Sequence, residues 1–184
     1  MRSRTTPDRP AWLGTLPYGL VAAAVLLRLV PHASNFQPMD ALALFGGAVL
    51  PGVWAFAVPL AAVALSDAVL GFYGPGMVWV YAAYAVIVIL GRLALHRRSV
   101  GRVAGAALAS AVVFYLITNL GEWTGPLYPH TAAGLAASFI AGIPFFGNTV
   151  LSDLGYSLAL FGIYDAARAV ERRRTGLSAT QRTT

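Results

Sequence analysis

The sequence predicts an all-α membrane protein, a bundle of six transmembrane helices with both termini in the cytoplasm. Of the 184 residues, 58% are hydrophobic and 11% are charged, whereas soluble domains carry about 25% charged residues. Apolar runs suited to crossing about 30 Å of hydrocarbon follow one another along most of the chain. Twelve of the 13 basic residues, all of them arginine, fall on one side of the bundle that these runs define.

This composition excludes several classes of protein. So few charges cannot cover a soluble globule, and a basic surface for nucleic acid needs a soluble face, so we expect no nucleic-acid partner. The chain has no cysteine, which excludes thiol catalysis, thiolate metal sites and disulfides. HExxH, GxSxG, Walker and GxGxxG motifs are lacking, and Ser110 and Ser138 have no histidine partner on a neighbouring span. We therefore expect neither an enzyme nor a cofactor.

The apolar runs give the elements in order. A cytoplasmic tail precedes a first span that no cleavage site follows, so that span is predicted to stay in the mature protein. The second segment is too short to cross straight and requires a thin or tilted path, and a Pro51-Gly52 turn closes it. The predicted elements up to the fifth span are the tail 1–11 and the segments 12–30, 40–50, 53–70, 77–95 and 103–120.

The last apolar stretch, 131–169, is too long for one span. Pro144 and Gly147 are expected to break it into a short helix, 132–142, and a sixth span, 148–169. The short helix would lie at the interface or pack against the bundle. A polar loop, 121–130, precedes this stretch. The transmembrane domain thus covers 12–169, and a basic cytoplasmic tail, 170–184, follows it.

Charge sets the orientation. Cytoplasmic loops of membrane proteins are rich in arginine and lysine, and with six spans both termini and the 96–102 link share the side that holds twelve arginines. Arg28 alone lies on the other side. We therefore expect a multi-pass protein of the bacterial inner membrane, with the lipid bilayer as its surroundings and a net charge of +6 that reports topology rather than a ligand.

The remaining polar residues collect at the outer end of the bundle. Tyr115, Thr118, Asn119 and Glu122 share one helix face, and Thr149, Ser152, Asp153 and Tyr156 repeat that spacing. An acid inside a membrane is costly, so these stripes should face protein or water. The candidate substrate-binding residues are Arg28, Asn35, Asp40, Asp67, Tyr115, Asn119, Glu122, Trp123, Tyr128, Asn148, Asp153 and Tyr156.

Several of these residues also have purely structural interpretations. Asp40 and Asn148 would suit helix N-caps, and Glu122 would simply be solvated in a loop. Arg28 would pair with Asp67 or Asp40 and hold helices together.

The two outer histidines, His32 and His130, are weak candidates for metal ligands, and ordinary interfacial residues are the alternative. No metal site is predicted. The excess of carboxylates at the outer end favours a cationic, neutral or metal-bearing ligand, and the tyrosines and Trp123 would suit a planar ring.

Four stretches carry a family resemblance. They are residues 32–48 (HASNFQPMDALALFGGA), 65–72, 117–123 (ITNLGEW) and 128–153 with its IPFFGNT segment. Together they resemble a family of small bacterial membrane proteins regarded as candidate transport proteins and similar to the substrate-binding S components of energy-coupling-factor (ECF) transporters. The resemblance covers about residues 12–168.

The resemblance implies a six-helix bundle of the ECF S-component type with a substrate pocket that opens outward. It further implies uptake of a vitamin, a corrinoid or a metal. The partner would be a transmembrane scaffold with ATPases. Small residues of the first helix, such as Gly19 and Ala23, would form the surface that docks on it. A solitary relative, however, works without such a scaffold. That relative holds cobalt with a cysteine; here His32 or His130 would have to replace it.

Three hypotheses follow. The first is a membrane subunit that binds a small-molecule substrate for uptake of a micronutrient. The second is a structural or assembly membrane protein whose polar layer only locks helices together. The third, an intramembrane enzyme with Asp153 or Glu122 as acid or base, lacks a convincing pair of titratable groups.

Overall fold

The computed structural model describes residues 11–181, which form six helices and the turns between them. The predicted all-helical fold is therefore confirmed. Arg2, Arg4, Arg9 and Arg182, which contribute to the predicted charge asymmetry, lie outside the described residues. The helices are α1 (Ala11–Leu29), α2 (Met39–Val49), α3 (Trp54–Leu70), α4 (Met77–Ala94), α5 (Val100–Thr124) and α6 (Ala132–Gln181).

Three of the described helices are long and apolar enough to cross a membrane: α4, α5 and the apolar part of α6. The described part of α1, together with α2 and α3, forms shorter apolar helices. Large apolar side chains on the outside of the bundle remain exposed, among them Leu65, Leu93 and Ile140. Such a surface is expected where the solvent is lipid rather than water.

The short helix α2 is the centre of the bundle. Its residues from Met39 to Gly47 are all buried, and it packs against each of the other five helices. The Phe45 ring meets the rings of Phe161 and Tyr164 on α6 at centroid distances of 5.2 and 5.6 Å. A helix that is apolar all round requires such a surrounding shell, which explains why α2 tolerates so few polar residues.

The loop before α2 enters the bundle. Gln37 Nε2 donates to Tyr84 Oη over 3.5 Å, and Tyr84 lies near the middle of α4 and is fully buried. The eleven residues of α2 reach only about 16 Å, roughly half the thickness of a bilayer's hydrocarbon. The polar loop therefore carries the chain to the depth at which α2 begins.

Two glycines let the backbones of α2 and α4 touch. A Cβ added at Gly47 would collide with the backbone carbonyl of Val88, and one added at Gly91 would collide with that of Leu44. Only glycine permits an approach this close, a packing mode typical of membrane helices. The two glycines thus fix how deeply α2 sits against α4.

Three of the predicted boundaries are wrong. Helix α6 runs unbroken through Pro144 and Gly147, so the separate helix 132–142 and the break before 148 do not exist. A proline inside a helix removes one backbone hydrogen bond, and its ring crowds the preceding turn. Packed membrane helices tolerate both effects. Helix α5 continues to Thr124, so Glu122 and Trp123 belong to a helix and not to a loop. α6 also continues through Gln181, into the segment predicted as a basic tail.

The bundle has two chemically different ends. At one, which we call the polar end, the C-terminal turns of α1, α3 and α5 meet the loop before α2 and the first turns of α4. At the other, the basic end, Arg92 Nη1 donates to Gly52 O over 3.4 Å. There Arg98 also pairs with Asp165 at 2.9 Å. The basic end therefore gathers the described arginines other than Arg28.

We predict that Gly91→Ala destabilises the protein by about 1–3 kcal/mol, because the new methyl group forces α2 away from α4. Gly105→Ala is the matched control, since Gly105 is helical and has open space where its Cβ would lie. That control should be neutral or stabilising by about 0.5–1 kcal/mol. Thermal unfolding in detergent measures both, and equal midpoints for the two variants would contradict the packing.

Candidate functional site

An ion pair between Arg28 and Asp67 joins α1 to α3 at the polar end. Arg28 Nη2 lies 2.6 Å from Asp67 Oδ1, and the two side chains are 7% and 1% exposed. Buried charges are costly unless they are paired and hydrogen-bonded. The pairing predicted as one structural interpretation is therefore present, with Asp67 as the partner rather than Asp40.

Neighbouring groups satisfy the rest of this pair. Arg28 Nη1 donates to Ser66 Oγ and, over 3.3 Å, to Val63 O. Its Nε donates to Gln37 Oε1 over 3.1 Å, and Tyr81 Oη on α4 donates to Asp67 Oδ2 over 2.8 Å. We call Arg28, Gln37, Ser66, Asp67 and Tyr81 the arginine network. Because its hydrogen bonds are largely made within the protein, this network fits a structural role.

Tyr73, in the loop between α3 and α4, lies beside the same carboxylate. Burial first, and the Asp67 carboxylate second, raise the pKa of Tyr73 to about 12. Both causes favour the neutral phenol. The neutral phenol of Tyr73 can donate a hydrogen bond towards Asp67.

A cavity of about 320 Å³ opens at the same end, between α4, α5 and α6. Part of its wall is aromatic and part is polar. Its lining residues are Asn35, Val80, Phe114, Tyr115, Thr118, Asn119, Glu122, Tyr128, Ser138, Ala141, Gly142, Phe145, Phe146 and Thr149. A concave, mainly apolar site with a few polar groups is typical of a small-molecule pocket.

Contacts between α5 and α6 fix the aromatic side of the cavity. Tyr115 Oη donates to Phe139 O over 2.6 Å, which holds the phenol ring in place. The Tyr115 ring lies 5.0 Å from that of Phe146 and 5.6 Å from that of Phe139. Ser138 Oγ donates to Asn119 O over 3.1 Å. These contacts hold Tyr115 and Ser138 in place, so this part of the wall is preorganised.

Asn119 depends on a glycine opposite it. A Cβ at Gly142 would collide with the Asn119 amide, so only glycine leaves this side chain room beside α6. Asn119 Nδ2 donates to Tyr115 O over 2.7 Å. No described residue donates to Asn119 Oδ1 or to the Glu122 carboxylate, so the amide oxygen and the carboxylate can accept hydrogen bonds from a ligand.

Asp40 and Asp153 form a second carboxylate group, behind the cavity. They are 5% and 1% exposed, and their carboxyl groups lie close to each other. Asp40 does not cap α2, because the N-cap position is Pro38 and no side chain caps this helix. The sequence-based interpretation of Asp40 as a cap is therefore wrong.

The family was identified by comparison with known proteins. The model of DUF6580, a family of unknown function, matches residues 11–175. The chain belongs to this family. No curated protein and no solved structure shows a significant match to it. The matched segment of this DUF6580 member includes the arginine network, the cavity and both buried carboxylates.

The predicted site residues of this DUF6580 member separate into groups. Asn35, Tyr115, Asn119, Glu122 and Tyr128 line the cavity. Arg28 and Asp67 belong to the arginine network, and Asp40 and Asp153 to the buried pair.

Three further predicted residues hold loops or pack against them. Asn148 lies inside α6, so its interpretation as a cap is wrong, and its Nδ2 donates to Ser34 O over 3.0 Å. Tyr156 packs against Phe36 at a ring distance of 5.9 Å. Trp123 Nε1 donates to Pro129 O over 3.1 Å. These contacts fasten the loops before α2 and α6.

The two histidines are exposed and bonded to backbone carbonyls. His32 contacts Ala33 O and Arg28 O, and His130 contacts Gly125 O. Within residues 11–181, no three His, Asp or Glu side chains come together in one cluster.

Sequence reasoning missed one wall of the cavity. Ser138, Gly142, Phe145 and Thr149 follow one another at helical spacing on α6 and all line the cavity. The sequence analysis divided this helix at Pro144, so the regular spacing of these four residues was not recognised. Had the period been carried across the proline, the stripe would have extended one face from Thr149 back to Ser138.

We predict that Arg28→Met destabilises the protein by about 3–5 kcal/mol, because it leaves Asp67 buried without its partner. The double variant Arg28→Met with Asp67→Leu should recover much of that loss. Arg98→Gln is the control, since Arg98 and its partner Asp165 are 18% and 43% exposed, and a pair in contact with water contributes less than a buried one. A double-mutant cycle by thermal unfolding tests this; equal losses at Arg28 and Arg98 would contradict a buried pair.

Proposed function

We propose that this protein is a multi-pass membrane protein that binds a small molecule in the cavity at its polar end, as the substrate-binding component of an uptake system. The cavity itself carries the proposal. Its volume is about 320 Å³, and its wall presents aromatic rings beside carbonyl and carboxylate oxygens that no described residue occupies. A purely structural polar layer would satisfy these oxygens internally, as the arginine network largely does.

The lining restricts the ligand. Glu122 is the charged residue of the lining, and it is exposed, which places it at the mouth. Tyr115 and Phe146 offer ring faces to a planar group, while Asn119 Oδ1 accepts a hydrogen bond from deeper in the wall. These features favour a ligand that is neutral or carries one positive charge, with a planar ring and hydrogen-bond donors.

The orientation we propose places the polar end outside the cell. Arg92, Arg97, Arg98, Arg102 and Arg168 lie towards the basic end, and arginine-rich ends of membrane bundles face the cytoplasm. The cavity would then open towards the medium from which a substrate is captured. The inner membrane of a bacterium is the corresponding location.

The resemblance to ECF S components suggests how uptake would be driven. Such a component would hand its ligand on while docked to a transmembrane scaffold with ATPases, or would work alone. Gly19 and Ala23 on α1 are exposed, and nothing lies within 4 Å of a Cβ added at Gly19. This small-residue face is compatible with close approach of a partner helix.

We predict that a thermal-shift screen of the full-length protein finds a stabilising small molecule, and that Ala141→Phe abolishes that stabilisation by filling the cavity. A ligand at a hundredfold excess over its Kd stabilises the folded state by about 2.7 kcal/mol. Vitamins, nucleobases and metal salts form a suitable screen. Ala137→Phe is the matched control, because Ala137 lies one turn away on α6, is exposed, and does not line the cavity.

Two results would contradict this function. One is that no compound of the broad screen stabilises the wild-type protein. The other is that Ala141→Phe folds normally and keeps the full response, which would place binding elsewhere. Ala137→Phe must respond as the wild type does.

We further predict that the polar end is reached from outside the cell. The chain has no cysteine, so single cysteines report accessibility without background. An impermeant thiol reagent added to intact cells should label Tyr128→Cys, in the loop before α6. It should label Ser99→Cys, at the basic end, only after permeabilisation. The reverse pattern would contradict the orientation.

A further inference from the structure

Two buried polar side chains behind the cavity have their hydrogen-bonding needs unmet. Both carboxylate oxygens of Asp153 and the hydroxyl of Ser157 have no hydrogen-bond donor or acceptor among the described residues. Asp153 is 1% exposed and Ser157 is 0% exposed. They lie one helical turn apart on the same face of α6. Asp40 of α2 brings its carboxyl group against that of Asp153.

Arg28 is the described basic side chain at this end of the bundle, and it bonds to other groups. Arg28, from α1, is bonded to Asp67 of α3, to Ser66 and to Gln37. On α4, the side chain close to Asp40 is Tyr84, whose hydroxyl is neutral.

The buried serine hydroxyl of α5 is no partner either. It belongs to Ser110, which donates to Ala106 O within its own helix. Two carboxylates placed side by side in an apolar bundle repel each other and lose their hydration. Something positive must therefore accompany them.

We propose that Asp40, Asp153 and Ser157 bind one hard metal cation, Na⁺, Mg²⁺ or Ca²⁺, through their oxygen atoms. Carboxylate and hydroxyl oxygens are the ligands that hard cations prefer. A shared proton is the competing occupant, but it would bridge one oxygen of each carboxylate. The other Asp153 oxygen and Ser157 Oγ would stay unpartnered, whereas a cation can contact all of them.

The position of this site gives it a structural consequence. Asp40 lies in the first turn of α2 and Asp153 near the middle of α6, so the cation ties the central helix to the longest one. The site is distinct from the cavity, because none of its three residues belongs to the cavity lining. Its existence therefore does not depend on whether the cavity holds a ligand.

Thermal unfolding of the full-length protein, freed of metal by a chelator, tests the proposal. NaCl, MgCl₂ or CaCl₂ is added against choline chloride at constant ionic strength, at two pH values. At least one of the three cations should raise the unfolding midpoint saturably. Asp153→Asn should abolish that rise, and Ser157→Ala should weaken the apparent affinity by about tenfold or more. Ser110→Ala, a buried serine with its own partner, should leave the response intact.

The proposal is overturned if none of the three cations raises the wild-type midpoint. A rise that Asp153→Asn and Ser157→Ala leave undiminished overturns it as well, since the cation would then bind elsewhere. A midpoint that depends on pH alone would indicate a shared proton and also rejects the site. If Asp153→Asn fails to fold, the milder Ser157→Ala variant decides. Its cation-dependent rise of the unfolding midpoint is then compared with that of Ser110→Ala.

Discussion

Each polar group inside this bundle must find its partner within the protein, because the apolar side chains around it offer none. Arg28 meets this constraint by reaching across from α1 to Asp67, Ser66 and Gln37. In doing so it determines where α1, α3 and the loop before α2 converge. Since that loop leads into α2, this guanidinium group ties the entrance of the central helix to α1 and α3. The rest of the polar end is arranged around it.

The same constraint separates residues that look alike in the sequence. Asp67 and Asp153 are both aspartates, both 1% exposed and both on helices at the polar end. Asp67 has an arginine and a tyrosine as partners, whereas Asp153 has only another carboxyl group beside it. Asp67 is therefore compatible with a purely structural role. Asp153, like the unoccupied oxygens of the cavity wall, needs something that the described chain does not supply. Unmet polar groups thus indicate function more clearly than polar residues do.

The sequence predicted the helices well and their connections less well. The apolar run of 40–50 lies within a residue of α2, because a fully buried helix tolerates few polar residues and so stands out. The break at Pro144 was wrong, since local propensity disfavours proline and only tertiary packing shows that the helix continues. The stripe from Tyr115 to Glu122 was predicted to face protein or water, and its residues line the cavity. Its partner wall, with Gly142 opposite Asn119, depends on a close approach between helices that spacing in one helix cannot reveal. Likewise, the choice of Asp67 over Asp40 by Arg28 is a matter of distance in three dimensions.

Native mass spectrometry of the gently purified, full-length protein tests most directly whether the cavity is a ligand site. The wild-type spectrum should contain, beside the bare chain, a species heavier by the mass of one small organic molecule. Collisional activation should release that molecule for identification, and Ala141→Phe should lack the heavier species while Ala137→Phe retains it. A wild-type spectrum with only the bare chain, or an added mass that Ala141→Phe retains, would contradict the assignment of the cavity as the binding site.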